Sequence, residues 1–214
     1  MILIKSPTEL TTSVTDLFLA IECLLIMIIL YQAPAVDRWR TCLWCWFFGL
    51  LVFSSLIGVV AHGLAIPVSL RQALFLPIFL GLGVSVALLV VGALLDWQGR
   101  DLAERFLWLI VAGSILFFAL GRLFTGGLIL FVIYEALAIL FTLAVYSFLA
   151  FTNPLKGSAL ISLSILLSLM AAGVQASQFS IKLLVPFDHN GLFHLLEMAA
   201  QALLGWGLRI GMKP

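Results

Sequence analysis

Phe187-Asp188-His189-Asn190-Gly191-Leu192-Phe193-His194-Leu195-Leu196-Glu197-Met198 opens the last long apolar segment of the chain, Gly191 to Gly211. The stretch holds two of the three histidines and two of the ten acidic residues found among 214 residues. Polar, metal-capable side chains are costly at the edge of a bilayer-length segment, so they mark candidate function. A helix needs about 20 apolar residues to cross a hydrocarbon core of roughly 30 Å. Working back from Gly191, the chain offers six more segments of that kind.

Composition agrees with the segments. The chain is 64% hydrophobic and 10% charged, more apolar than a soluble domain of this length can cover with polar groups. The expected fold class is an all-α integral membrane protein, a single seven-transmembrane-helix bundle over residues 1–214. The spans fall at Leu17–Ala33, Leu43–Ala65, Leu70–Trp97, Leu102–Gly121, Gly126–Phe151, Ser158–Gln178 and Gly191–Gly211. Pro34 is expected to end the first and Asn153-Pro154 the fifth, while Pro77 sits in the third, where a membrane tolerates a kink. A net charge of +1 excludes nucleic acid as a partner, which needs clustered basic residues. Cys42-Leu43-Trp44-Cys45 has redox-motif spacing but no second pair, and reads as helix packing beside Trp46. The amino end shows no signal-peptide pattern, with Lys5 its only early basic residue.

Lysine and arginine set the expected orientation. The loops after spans one, three and five share a side with the carboxyl terminus and carry Arg38, Arg40, Arg100, Arg105, Lys156, Arg209 and Lys213. The opposite side carries Lys5, Arg71, Arg122 and Lys182. The bias puts the amino terminus outside and the carboxyl terminus in the cytoplasm, in a bacterial inner membrane.

Placed by depth, His62 falls at the outer end of span two, and His189 and His194 at the outer start of span seven. Glu22, Glu135 and Glu197 fall in the same leaflet, with Glu197 one turn below His194 on the same helix face. Three histidines with an open fourth position are the pattern of a catalytic zinc site, where a carboxylate serves as general base or orients a ligand imidazole. The expected metal ligands are His62, His189 and His194, and the expected catalytic residues Glu197, Glu22, Glu135 and Ser55. Ser54 and Ser55 stand about two turns before His62. One condition applies. Positions five apart on a regular helix point about 140° away from each other, so His189 must lie in the turn before span seven. Asp188 reads equally as a cap of that helix.

Ala61-His62-Gly63 together with Asp188 to Met198 resembles the CREST superfamily of membrane hydrolases, the group of alkaline ceramidases and adiponectin-receptor-like proteins, and more closely a bacterial family related to them. The resemblance implies zinc held by His62, His189 and His194 and water activated against an amide or ester. The ceramidase-type histidine pair is separated by three residues where four intervene here. Gly58 holds the position of that family's serine, and its aspartate early in span three has no counterpart. The expected function is a zinc-dependent hydrolase of a lipid amide or ester, with membrane lipid as its partner beside a second copy of the chain or a larger membrane complex. The alternatives are a receptor or accessory subunit, a heme protein using His62 opposite His189 or His194, and a proton-coupled membrane protein using the same histidines and carboxylates.

Overall fold

The computed structural model describes residues 2–33, 37–123, 127–152, 155–182 and 184–212. Pro34, Gly126, Asn153, Pro154 and Lys213, on which some sequence expectations fall, lie outside them. Seven helices follow in order: α1 (Pro7–Tyr31), α2 (Arg38–Gly63), α3 (Val68–Gln98), α4 (Arg100–Leu123), α5 (Gly127–Thr152), α6 (Ser158–Gln175) and α7 (His189–Gly211). Between α6 and α7, β1 (Ile181–Lys182) and β2 (Pro186–Phe187) form a small antiparallel hairpin, with Ile181 opposite Phe187.

Among the described residues, six helices are long and apolar enough to cross a membrane; α7 is not one of them. The reason lies in its amphipathic sequence. His194, Glu197 and Gln201 recur at helical spacing on one face, and that face is turned to the interior.

The order of packing is a ring. α1 lies against α2, α2 against α3, α3 against α5, α5 against α6, α6 against α7, and α7 against α1. α4 packs on the outside, touching α3 and α5, and of its residues only Ala103 and Ser114 are buried. One half of the ring is filled by Trp44, Phe48, Leu30, Tyr146, Ile161 and Leu208, all fully buried. Small residues let the helices approach: a Cβ on Gly92 would lie 2.5 Å from the Trp44 ring. The same half holds a buried ion pair. Arg40 meets Asp96 through Nε–Oδ1 and Nη2–Oδ2, both 2.9 Å. Arg40 Nη1 donates to the Gly211 carbonyl at 2.9 Å, and the Tyr146 hydroxyl donates to Asp96 Oδ2 at 2.8 Å.

The other half of the ring holds the polar residues. At its end lie the hairpin, against α1 and α7, and the amino-terminal segment, whose Ile4 N–H donates to Gly63 O at 3.0 Å and whose Ile2 O accepts from the Ala65 N–H at 3.0 Å. α1 is longer than expected by ten residues at its start. Ser6 caps it, accepting from the Glu9 N–H at 3.4 Å, and Pro7 takes its first position. The added turns carry Thr12, Ser13, Thr15 and Asp16, all buried. They are polar because they face α2 and α7 rather than lipid.

Candidate functional site

Asp188 caps α7: its Oδ1 accepts from the Gly191 N–H at 2.9 Å and from the Thr12 hydroxyl at 3.0 Å. That cap fixes the start of α7 against α1. With α7 beginning at His189, the turn needed to bring His189 and His194 to one ion is absent. His194 lines the interior cavity of the bundle and His189 does not.

The cavity, about 410 Å³, lies inside the ring and is lined by all six ring helices. His62, His194, Ser55, Glu135 and Glu197, expected from the sequence, all reach it, as do Ser54, Gln175 and Gln201. Glu22 does not; its Oε2 is buried without a hydrogen-bond partner among the described residues.

Asp16 joins the cavity from the part of α1 that hydropathy alone assigns to the outside. Its carboxylate fits against Gly58, where a Cβ would stand 2.6–2.7 Å from its atoms. This is how α2 admits the acid. Asp16 Oδ1 lies 3.4 Å from His194 Nε2, and its Oδ2 is buried with no partner among the described residues. On the other side of the imidazole, Nδ1 is 3.0 Å from the Thr15 hydroxyl. Thr15 donates its own proton to the Thr12 carbonyl at 2.8 Å, so its oxygen accepts from His194 Nδ1–H. With the Thr15 proton on the Thr12 carbonyl, Nδ1 carries the imidazole hydrogen and Nε2 presents a lone pair. Nε2 and Asp16 Oδ1 are therefore two acceptors side by side, too far apart for a strong bond to one another. A donor placed between them satisfies both.

His62 has a carboxylate of its own. Its Nδ1 is 2.7 Å from Glu9 Oε2, and its ring packs edge-on to Phe75 with centroids 5.6 Å apart. Glu9 stands at the position of the acid in a capping box, but its side chain is spent on His62. Deeper in the cavity, Glu197 Oε2 accepts from Ser168 at 3.1 Å and from Gln201 Nε2 at 2.9 Å.

A zinc ion fits this arrangement only in part. A separation of 3.4 Å between His194 Nε2 and Asp16 Oδ1 matches two donors on a tetrahedral ion with bonds of about 2.0–2.1 Å. Yet among the described residues no three His, Cys, Asp or Glu side chains are placed to hold a metal together. The trio His62, His189 and His194 does not form such a group among the described residues.

Fold and site together define a helical bundle, apolar enough in six of its helices to span a membrane, that encloses a cavity bearing paired carboxylates and imidazoles. The chain belongs to the family of unknown function DUF6962, whose model matches residues 11–213. No curated protein and no solved structure matches it.

Proposed function

We propose that the chain is an intramembrane hydrolase that cleaves the amide or ester bond of a lipid inside this cavity. In the proposed arrangement α7 is the seventh span, kept in the bilayer because its polar face meets the cavity. The amino terminus lies outside, so the histidine end opens toward the outer leaflet, in keeping with the lysine and arginine distribution.

The observation that carries the proposal is the pair of acceptors, His194 Nε2 and Asp16 Oδ1, on the wall of a cavity whose surface is otherwise mainly apolar. A water donating to both is held as a nucleophile. As its oxygen adds to the carbonyl carbon, its proton passes to His194 Nε2, and Asp16 stabilises the imidazolium. His194 then returns that proton to the departing amine or alkoxide. Thr15 keeps the ring oriented throughout. Ser55 is the hydroxyl available to donate to the developing oxyanion. Phe47, Leu51, Phe79 and Leu82 offer the apolar wall that an acyl chain requires.

The test is release of fatty acid from a panel of lipid amides and esters by protein purified in mild detergent without chelators. His194→Ala and Asp16→Asn are expected to slow the reaction by at least about 100-fold, the usual contribution of a positioned acid–base group. Gly58→Ala keeps every named side chain but drives a methyl group into the Asp16 carboxylate, and is expected to lower the rate in the same direction. Full activity in Asp16→Asn would remove the pair from the chemistry. Zinc is the cofactor that the resemblance implies, and the same preparation measured for metal decides its part: about one ion per chain, lost in His194→Ala, would return water activation to a metal.

A further inference from the structure

The inner part of the cavity is built for something other than an alkyl chain. Glu197 and Gln201 stand one and two turns beyond His194 on α7, about 5 and 10 Å further along the helix. Gln201 is 6% exposed. Its Nε2 is committed to Glu197, so its carbonyl Oε1 points elsewhere, and that oxygen is buried with no partner among the described residues. The Glu197 Oε2 already accepts two hydrogen bonds, from Ser168 and Gln201. Gln201 Oε1 therefore asks for a donor, and the Glu197 carboxylate, already bonded twice, for a counter-charge. Glu135 reaches the same cavity from α5.

The charge is one-sided. Asp16, Glu135 and Glu197 line the cavity, and no lysine or arginine does so among the described residues. Carboxylates in a low-dielectric interior need a paired cation, a proton or water. A hydroxyl would satisfy the hydrogen bonds but leave the charge; an ammonium group satisfies both.

We propose that Glu197 and Gln201 form a subsite for the ammonium group of an amine-bearing amphiphile, bound inside the bundle beyond the Asp16–His194 pair. The subsite deepens the hydrolase proposal by naming a second polar group on the substrate, and it rests on that proposal only for the bond that is broken. The ligand donates N–H bonds to Gln201 Oε1 and to the Glu197 carboxylate, while its chain lies along the apolar wall.

Binding is tested without turnover, so failure of hydrolysis and failure of the subsite are distinguishable. n-Octylamine, n-octanol and n-octanoate share one chain and differ in headgroup. Each is titrated against the full-length protein in a non-ionic detergent, and affinity is read from the rise in thermal unfolding temperature. Octylamine is expected to bind at least 10-fold more tightly than octanol, with octanoate weakest. Glu197→Gln is expected to remove most of that preference and leave octanol binding unchanged, and Gln201→Met, which removes the carbonyl that either headgroup can donate to, is expected to weaken octylamine and octanol together. Equal affinity for octylamine and octanol in the unaltered protein would overturn the proposal. So would an amine preference that survives in Glu197→Gln. The three-headgroup comparison needs no variant, so it decides the matter even where a variant does not fold.

Discussion

Arg40→Met is expected to destabilise the folded bundle by about 3–5 kcal/mol, because it strips the counter-ion from a carboxylate that stays buried. Arg40 is 8% exposed and the Asp96 side chain 4%. The guanidinium faces Asp96 with two nitrogens, each 2.9 Å from a carboxylate oxygen, and gives a third to the Gly211 carbonyl. The Nη2 contact is a hydrogen bond and the Nε contact an ionic one, and a guanidinium pair of this kind is not reproduced by lysine. Without Arg40, Tyr146 is the remaining hydrogen-bond donor to Asp96 among the described residues. The pair ties the start of α2 to the end of α3, to α5 through Tyr146 and to the end of α7. Tyr146→Phe should cost less, about 1.5–3 kcal/mol for one bond to a charged acceptor. Arg40→Met combined with Asp96→Leu should recover much of the loss, since a buried pair replaced by apolar groups is often neutral. Unfolding followed by size-exclusion profile after heating in detergent reads all three variants against the parent. An Arg40→Met protein within about 1 kcal/mol of the parent would show that the ion pair does not hold this end together.

That pair also shows where sequence reading runs out. Arg40 is expected in a loop on hydropathy grounds, where it counts toward membrane orientation, yet α2 starts at Arg38 and buries it. A charge is legible as structural only once its partner is known, and Asp96 lies 56 residues away. The helices themselves are legible because bilayer-length apolar runs are long and unambiguous; the starts of α2 to α7 come within about five residues of expectation. The start of α1 is the exception. Hydropathy treats Thr11 to Asp16 as outside the membrane, since it cannot see that a helix inside a ring spends a whole face on its neighbours. Ser6, Pro7 and Glu9 do carry a helix-start signature, and that signal reaches Asp16.

The candidate site divides along the same line. His62, His194, Ser55, Glu135 and Glu197 converge as their depth along the spans suggests. Depth is a one-dimensional coordinate that sequence supplies well. Rotation about the helix axis is less secure, and it separates His189 from His194 once Asp188 caps the helix where it does. Glu22, expected at the same depth, does not reach the cavity.

Gly157→Ala is expected to cost about 4 kcal/mol or more, through two effects that the structure separates. Gly157 has φ +92°, a conformation that any Cβ strains, and a methyl there would collide with the Gly207 carbonyl oxygen. The strain alone is worth about 1–3 kcal/mol. The carbonyl belongs to α7 backbone and has no rotamer to turn aside, so the helix itself must move. Gly99 isolates the first effect: it too has φ +92°, but nothing lies within 4 Å of its Cβ position. Gly99→Ala should therefore carry strain without collision. Gly207 isolates the second, since it lies within a helix and its Cβ would meet Gly157 O and Ile161 Cγ1, each at 2.8 Å. Thermal unfolding of the three variants should rank Gly157→Ala as the most damaged. Equal losses at 99 and 157 would mean that α6 and α7 do not cross this closely. If they do, the consequence reaches the cavity: α7 carries His194, Glu197 and Gln201, so pushing it off α6 should weaken octylamine binding in whatever protein still folds.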